Sequence, residues 1–334
     1  MNSYTILESF EKKLRSHPQS IVFPEGSDPR ILEASSRLLA SNFLFPILLG
    51  KEQEIMEAAE EAGFNIRGAK IIDPSNYERF DEMVDEFVRL RAHRGMTKEQ
   101  AEIKLLHPNY FGCMLVRMNE ADSLLSGATY NAADTLLPAM QIMRNEVGSS
   151  LISSCYVLDR ANATGENTTL VMADGAINVD PSEFELVKIC GDVINCARVF
   201  GLTPKVAFLS YSTNGSGKGE SVDKMHKAAQ KSKEAYPNEL IEGEMQMDAA
   251  VSPTVAKLKF PDSKVAGYAN TFIFPDVTSA NIGYKIAARM GNFNVYGPIL
   301  LGMRYKINGL SRSCNAQEVY IMAVITAAGV NGQE

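Results

Sequence analysis

The sequence is poor in the two residue types that most often build zinc sites and disulfides. It has four histidines and five cysteines in 334 residues, and none are spaced as CxxC or HxxxH, so no metal site is expected. The cysteines are odd in number and scattered along the chain: Cys113, Cys155, Cys190, Cys196 and Cys314. This distribution predicts reduced thiols in a reducing compartment rather than a disulfide framework.

Long hydrophobic runs are also missing. The longest apolar stretches are FLFPILLG at 43–50 and YIMAVITAAGV at 320–330, well short of the roughly 20 residues that a membrane-spanning helix needs. The N-terminal segment MNSYTILESFEKKLRS mixes both charge signs with isolated apolar residues and lacks the apolar core of a secretory signal. We therefore expect a cytoplasmic protein with no membrane partner.

The chain has no excess of positive charge. Lys and Arg number 33 against 40 Asp and Glu, which gives a formal net charge of -7 and a pI of about 5.3. This balance argues against broad binding to nucleic acid or to an anionic membrane surface. An anionic small molecule must then be held by a few local arginines and backbone amides.

What the sequence does contain is an alternation of short apolar runs with amphipathic helical segments. The runs predicted as strands are IVF at 21, FPILLG at 45, SLLSG at 123, GAINV at 175, VAFLS at 206, TFIF at 271 and YGPIL at 296. The alternation predicts an α/β fold with largely parallel sheets and ligands at the carboxyl ends of the strands. Because 334 residues exceed the size of a single hydrophobic core, we expect two domains with a boundary near Gly148.

The strongest local motif is the glycine-rich segment SYSTNGSGKGE, residues 210–220. It stands between a predicted strand and a predicted helix, an arrangement in which free backbone amides and the helix dipole bind phosphate. The candidate phosphate ligands are Ser212, Thr213, Gly215, Ser216 and Gly217. The segment matches neither a Walker A loop nor a dinucleotide fingerprint, and a turn without a ligand is the alternative interpretation.

Arginines form a second set of candidates. In the predicted helix before Gly95, the apolar stripe continues onto Arg91, whereas Arg89 points away from it. Arg91 is therefore interpreted as a ligand for an anion and Arg89 as part of a solvated face. Arg30 follows Pro29 in the predicted first turn of a helix, where a cation opposes the helix dipole and a functional role is slightly favoured.

The third candidate group is the segment GLSRSCNAQEV, residues 309–319. Ser311 and Arg312 place a hydroxyl beside a planar double donor in a loop, a pair suited to phosphate. Asn315 and Glu318 have the spacing of a capping box for the last helix, and for Glu318 capping and catalysis weigh about equally. Cys314 is interpreted as a half-buried thiol rather than an acyl-carrying nucleophile.

Ten strings of the sequence together resemble those of a known family. They are FPEGSDPR, LRAHRGMT, SGATYNAADTLLPAMQI, MADGAINVDP, LSYSTNGSGKGE, EGEMQMDAAVSPTVA, VAGYANTFIFPD, NIGYKIAARM, YGPILLGM and NGLSRSC. Because the strings occur in the same order as in that family, the chain is similar to the phosphate acetyltransferases (phosphotransacetylases) of the phosphate acetyl/butyryl transferase family. The resemblance implies a homodimer whose two α/β domains have an isopropylmalate-dehydrogenase-like architecture and an active-site cleft between them. The implied domains are residues 1–148 with 298–334, and residues 149–297.

The resemblance also implies a reaction. The thiol of coenzyme A attacks the carbonyl of acetyl phosphate and releases phosphate, reversibly and without an acyl-enzyme. The implied partners are CoA, acetyl-CoA, acetyl phosphate and phosphate, with no tightly bound cofactor. Ser311 would orient the thiol or the oxyanion, Arg312 would neutralise phosphate, and Glu318 would be the base. The implied coenzyme A ligands are Arg30, Arg91 and Thr135.

The chain departs from the family pattern at five positions. Leu137 replaces an arginine, Tyr130 a histidine, Gly309 an aspartate, Ser313 a glycine and Glu318 an aspartate. Three alternatives stay open: transfer of butyryl or another longer acyl group, metal- and NAD(P)-dependent decarboxylating dehydrogenation of the isopropylmalate type, and coenzyme A binding without turnover. No dinucleotide fingerprint is present to favour the dehydrogenase.

Overall fold

Helices and strands alternate because short buried runs are separated by helical segments with one apolar face. The computed structural model describes residues 3–143, 151–160 and 169–329. In these ranges the strands are β1 (Gln19–Phe23), β2 (Leu44–Leu49), β3 (Lys70–Ile72), β4 (Ser123–Ser126), β5 (Ser153–Asp159), β6 (Thr169–Ala173), β7 (Lys205–Leu209), β8 (Leu240–Met245), β9 (Thr271–Ile273), β10 (Asn294–Leu301) and β11 (Lys306–Gly309). The α-helices are α1 (Ser3–Ser16), α2 (Pro29–Ser41), α3 (Glu52–Ala62), α4 (Phe80–Arg91), α5 (Lys98–Leu105), α6 (Pro108–Arg117), α7 (Ala132–Ile142), α8 (Glu183–Val199), α9 (Glu220–Ala235), α10 (Met247–Val251), α11 (Pro253–Lys259), α12 (Val277–Gly291) and α13 (Ala316–Ala328).

The first of two compact units contains Leu7–Ser149 and Met303–Gln333. Its strands follow the order β3-β2-β1-β4-β11, and every pairing among them is parallel. The helix α13 is buried along nearly its whole length and packs against α2 and β4, as expected for a helix that is apolar on all sides. In a parallel sheet the carboxyl ends of neighbouring strands share one edge, so the loops after β1, β4 and β11 come together.

The second unit contains Ser150–Gly302. Its strands follow the order β10-β5-β6-β9-β7-β8, in which β6, β9, β7 and β8 are parallel, β10 is antiparallel to β5, and β5 is antiparallel to β6. Its core includes the fully buried Leu158, Ala207, Met245 and Phe272. The prediction of an α/β fold with largely parallel sheets is therefore confirmed.

The prediction of a strand at GAINV is wrong. The strand β6 ends at Ala173, and the buried carboxylate of Asp174 accepts the amides of Ala176, Ile177 and Asn178 at 3.1, 3.2 and 3.1 Å. A side chain thus satisfies the N–H groups that a strand would give to its neighbour. The apolar letters of this run lie in a loop folded around Asp174.

Within the described residues, no helix is long and apolar enough to cross a membrane. The predicted boundary near Gly148 lies outside the described residues, and the predicted domain limits stay a prediction.

Candidate active site

Three loops of the first unit lie side by side at the carboxyl edge of its sheet. They follow β1 (residues 24–28), β4 (127–131) and β11 (310–315). The amide of Leu310 donates to the carbonyl of Ser126 at 2.7 Å. A Cβ at Gly127, where φ is +117°, would lie only 2.7 Å from the Leu310 carbonyl oxygen. Position 127 therefore requires glycine for these two loops to meet.

The loop after β11 presents Ser311 and Arg312 to solvent. The Ser311 hydroxyl lies 2.9 Å from the Ser313 hydroxyl and accepts the Ser313 amide at 3.3 Å. In the part of the chain that the structure describes, the guanidinium of Arg312 has no hydrogen bond or ion pair. An exposed guanidinium beside a hydroxyl is suited to bind a phosphate group from solvent.

Arg30 lies in the first turn of α2, as predicted, but its side chain turns back into the loops. Nε and Nη2 donate to the carboxylate of Asp28 at 2.9 and 2.8 Å, and Nη2 also donates to the carbonyl of Ala128 at 2.7 Å. Nη1 donates to the carbonyls of Arg312 and Cys314 at 2.9 and 3.2 Å. These bonds occupy all five N–H donors of a guanidinium. A coenzyme phosphate could bind Arg30 only by displacing one of these partners.

Glu25 is a buried carboxylate in the loop after β1, with 7% of its surface exposed. Its Oε1 accepts the amides of Gly127 and Thr129 at 2.9 and 3.1 Å, with the amide of Tyr130 at 3.5 Å. Its Oε2 is buried and has no hydrogen-bond partner among the described residues. A carboxylate of the chain itself therefore fills the amide-lined hollow of the loop after β4.

Glu318 caps the last helix, as predicted. The side chain of Asn315 accepts the Glu318 amide at 2.9 Å, and Oε2 of Glu318 accepts the Asn315 amide at 2.9 Å, which completes the capping box of α13. Oε1 accepts no hydrogen bond from the described part of the chain. Capping therefore uses one carboxylate oxygen and leaves the other available.

Cys314 is buried beside these groups. Burial raises the pKa of its thiol to about 11, although the neighbouring charge of Arg30 opposes the increase. The thiol is therefore protonated at neutral pH and is a poor nucleophile, which agrees with its interpretation as a residue that carries no acyl group.

Arg91 is the last residue of α4, and its Nε is buried without a hydrogen-bond partner in the described ranges. Buried donors are rarely left unpaired, and an anionic ligand would satisfy this one. Arg89 instead bonds to Glu86 at 2.7 and 2.9 Å, as expected for a surface residue. Thr135 is buried in α7, where its hydroxyl donates to the carbonyl of Asn131 at 3.2 Å.

The glycine-rich segment of the second unit forms the predicted turn between β7 and α9. Its buried Ser212 donates to Oε1 of Glu244 at 2.8 Å and accepts the amide of Gly217 at 2.8 Å. The amide of Gly215 also donates to Oε1 of Glu244, at 2.8 Å. Of the amides predicted to hold phosphate, that of Gly215 is therefore occupied by an internal carboxylate and that of Gly217 by the Ser212 hydroxyl.

The remaining predicted phosphate ligands are also engaged within the loop. The amide of Thr213 donates to the hydroxyl of Ser216 at 3.0 Å, and the hydroxyl of Thr213 accepts the amide of Gln246 at 2.9 Å. Thr213 is buried, whereas Ser216 is exposed. Phosphate binding at this loop therefore stays a prediction. An external anion could contact only the groups that are exposed to solvent, such as Ser216.

Glu244 itself is 1% exposed, and its Oε2 lies 3.0 Å from Nδ1 of His226. Burial alone would raise the pKa of this carboxylate. The donors from Gly215, Ser212 and His226 outweigh that effect and lower the pKa below its ordinary value. Glu244 therefore stays charged at neutral pH and holds the glycine-rich loop in shape.

Sequence reasoning missed Glu25, Asp174 and Glu244, the three buried carboxylates that accept loop amides. Each stands next to a glycine and lies within a strand or no more than two residues after the end of one. An acid at the end of an apolar run is a usable signal, because a buried charge needs donors around it. Among the residues described, no group of three or more His, Cys, Asp or Glu side chains could hold a metal ion.

Comparison with known proteins shows the family of the chain. A family model described as phosphate acetyl/butaryl transferase matches residues 5–327. The chain belongs to this family. The phosphate acetyltransferase of Bacillus subtilis (strain 168) is 44% identical over 323 residues, which cover 97% of this chain and 98% of that protein.

Solved structures of family members have the same fold. A phosphotransacetylase from Streptococcus pyogenes superposes with a TM-score of 0.91 at 42% identity and covers 99% of both chains. The EutD phosphotransacetylase from Staphylococcus aureus gives a TM-score of 0.85 at 38% identity, also over 99% of both chains.

The departures from the family pattern can be located in the structure. Ser313 does not have a positive φ, so the backbone accommodates a side chain there and its hydroxyl reaches Ser311. Tyr130 lies with its ring 5.1 Å from the ring of His107, and burial raises the pKa of its hydroxyl. Leu137 on α7 is 48% exposed, so it places apolar surface where the family has a cation.

Proposed function

We propose that this chain is a phosphate acetyltransferase, which transfers an acetyl group reversibly between acetyl phosphate and the thiol of coenzyme A. The observation that carries the proposal is the exposed pair of Ser311 and Arg312 at the carboxyl edge of a parallel sheet. Membership of the family supports the chemistry, and relatives over 97% of the chain are named phosphate acetyltransferases. The exposed guanidinium gives an anionic acyl phosphate its point of attachment.

In the proposed reaction the thiol sulfur attacks the carbonyl carbon of acetyl phosphate, and the thiol proton passes to a base. The tetrahedral oxyanion then collapses, the bond from carbon to the phosphate oxygen breaks, and acetyl-CoA and phosphate leave. A thiol with an ordinary pKa of about 8.5 is mostly protonated at pH 7, so a positioned base increases the rate. We assign this role to Oε1 of Glu318, the oxygen that the capping box leaves available.

Two further roles follow from charge and exposure. Arg312 would neutralise the departing phosphate, and Ser311 would donate to the oxyanion or orient the thiol. For coenzyme A we propose Arg91, whose buried Nε lacks a partner among the described residues, together with Thr135. In the glycine-rich loop, the exposed Gly215 and Ser216 and the partly exposed Gly217 are proposed to bind phosphate, and Ser212 and Thr213 hold the loop in shape.

We also propose that the enzyme is a cytoplasmic homodimer. The helix α12 exposes Ile282, Ile286 and Met290 at four-residue spacing, with 54%, 53% and 86% of their surfaces accessible. An apolar stripe of this kind favours a protein partner, and a second copy of the chain would cover it. The five cysteines are free, which fits a reducing compartment.

The proposal is tested by incubating purified protein with CoA and acetyl phosphate and measuring acetyl-CoA by mass spectrometry. Butyryl phosphate in a parallel reaction reports the acyl-chain preference. Arg312→Ala should lower kcat by about two to three orders of magnitude if the guanidinium stabilises the transition state. The matched control is Arg67→Ala, since Arg67 is also an exposed arginine of the first unit. Absence of acetyl-CoA in the wild-type reaction would refute the activity, and a normal rate in Arg312→Ala would remove Arg312 from the mechanism.

A further inference from the structure

Glu25 and Arg30 lie in one short segment of the chain, on either side of the first residue of α2. Both side chains form hydrogen bonds with the loop after β4, and Arg30 also bonds to the loop after β11. We call this pair the loop brace. Glu25 belongs to the loop after β1, and Arg30 to the first turn of α2. Asp28 supports the pair, because its carboxylate holds the Arg30 guanidinium through two hydrogen bonds.

The loop brace binds backbone groups of the loop after β4 in turn along the chain: an amide, a carbonyl and a further amide. Glu25 accepts the amides of Gly127 and Thr129 at 2.9 and 3.1 Å. Arg30 donates to the carbonyl between them, that of Ala128, at 2.7 Å. Successive peptide groups of the loop are thus fixed by a carboxylate and a guanidinium, so the backbone cannot rotate there without breaking a charge-assisted hydrogen bond.

Arg30 also reaches the loop after β11. Its Nη1 donates to the carbonyls of Arg312 and Cys314, at 2.9 and 3.2 Å. The first of these carbonyls belongs to Arg312 itself, and the two together enclose Ser313, so one nitrogen atom fixes the backbone on the C-terminal side of Arg312. Because the donors of Arg30 are all used in this way, its side chain has none left for a ligand.

We propose that Glu25 and Arg30 are positioning residues for acetyl transfer, which place the backbone of Ser311 and Arg312 and touch neither substrate. This inference rests on the proposed function of the same site. A displacement of about 1 Å in a catalytic group can lower the rate roughly 100-fold. The hydrogen bonds of the loop brace prevent such a displacement of Ser311 and Arg312. For Arg30 the inference replaces the coenzyme-phosphate role implied by the family resemblance.

The first experiment separates positioning from coenzyme binding at Arg30. Arg30→Lys keeps the charge but supplies donors from a single nitrogen, which cannot span the carboxylate and three carbonyls. We expect kcat to fall about 10- to 100-fold, while the ratio of kcat/KM for CoA to that for 3′-dephospho-CoA stays at the wild-type value. If the ratio in the variant differs from the wild-type value, Arg30 contacts the 3′-phosphate of CoA. If kcat is unchanged, Arg30 has no positioning role. Either result overturns the inference.

The second experiment tests Glu25 by conservative rescue. Glu25→Gln retains an Oε1 acceptor for the loop amides, whereas Glu25→Ala removes it. We expect Glu25→Gln to stay within about 3-fold of the wild-type kcat and Glu25→Ala to lose about 10- to 100-fold. If Glu25→Gln is as impaired as Glu25→Ala while its melting temperature is unchanged, the carboxylate charge takes part in the reaction and the positioning role is wrong.

Two controls keep the outcomes separate. The wild-type enzyme is assayed in every series, so a failure of the proposed function appears as absent acetyl-CoA before any variant is compared. If Glu25→Ala does not fold, Glu25→Gln still decides the question, since a positioning residue requires its near-normal kcat. Arg67→Ala again serves as the exposed-arginine control for Arg30→Lys and is expected to leave kcat unchanged.

Discussion

Replacing Ser313 by alanine is expected to slow acetyl transfer, and only because the Ser311 hydroxyl loses a hydrogen-bond partner. The hydroxyl of Ser313 lies 2.9 Å from that of Ser311, and its amide donates to the same oxygen at 3.3 Å. The substitution removes only the hydroxyl contact, so the orientation of the Ser311 hydroxyl is less restricted. A neutral hydrogen bond contributes about 0.5–1.5 kcal/mol, and this exposed pair belongs at the lower end. A loss of about 0.5–1 kcal/mol corresponds to a roughly 2- to 5-fold decrease in kcat/KM.

A double-mutant cycle measures this coupling directly. The wild-type enzyme, Ser313→Ala, Ser311→Ala and the double variant are compared by kcat/KM for acetyl phosphate at saturating CoA. If Ser313 acts through Ser311, its replacement has no effect once Ser311 is alanine, and the coupling energy is about 0.5–1 kcal/mol. Effects that add within about 0.3 kcal/mol would refute the reasoning, because the two hydroxyls would then act independently.

Two carboxylates give further predictions. Glu318→Gln keeps an acceptor for the Asn315 amide, so the melting temperature should change little while kcat falls by about 100-fold; a lower melting temperature with a normal kcat would leave capping as the only role of Glu318. Glu244→Gln should lower the melting temperature at pH 7, and the gap from wild type should narrow as the pH falls below about 4.5, the ordinary value for this carboxyl. The reason is that a carboxylate with a lowered pKa stabilises the fold fully above its unfolded pKa and loses that contribution as the pH drops through its folded pKa. Thermal unfolding at pH 7 and pH 4 checks this, and an equal gap at both values would contradict it.

Short-range patterns predicted six of the eleven strands in the described residues. The runs at residues 21, 45, 123, 206, 271 and 296 lie in β1, β2, β4, β7, β9 and β10, because a buried strand needs only its own apolar residues to be recognised. The capping box joins Asn315 and Glu318, three positions apart, and is equally local. The run at 175 was not distinguishable from these strands by composition, since what excludes a strand is the bonding of the Asp174 carboxylate to the amides that follow.

The site was predicted less completely, for a physical reason. The residue types of Ser311 and Arg312 indicate phosphate chemistry, and the structure brings them to the edge where ligands bind. The carbonyl partners of Arg30 lie 98, 282 and 284 residues away in the sequence, and Glu244 is 29 residues from Gly215. Contacts from a side chain to a distant backbone leave no periodic trace in a single sequence, so they become visible only in the folded chain.

Three loops wrap around carboxylates that the chain itself supplies, those of Glu25, Asp174 and Glu244. These segments therefore acquire their final shape when the polypeptide folds, and the entropy lost in ordering them is not subtracted from the affinity for a substrate. Their amide hydrogens should consequently exchange slowly with solvent already in the empty enzyme, with little extra protection after saturation by either reactant.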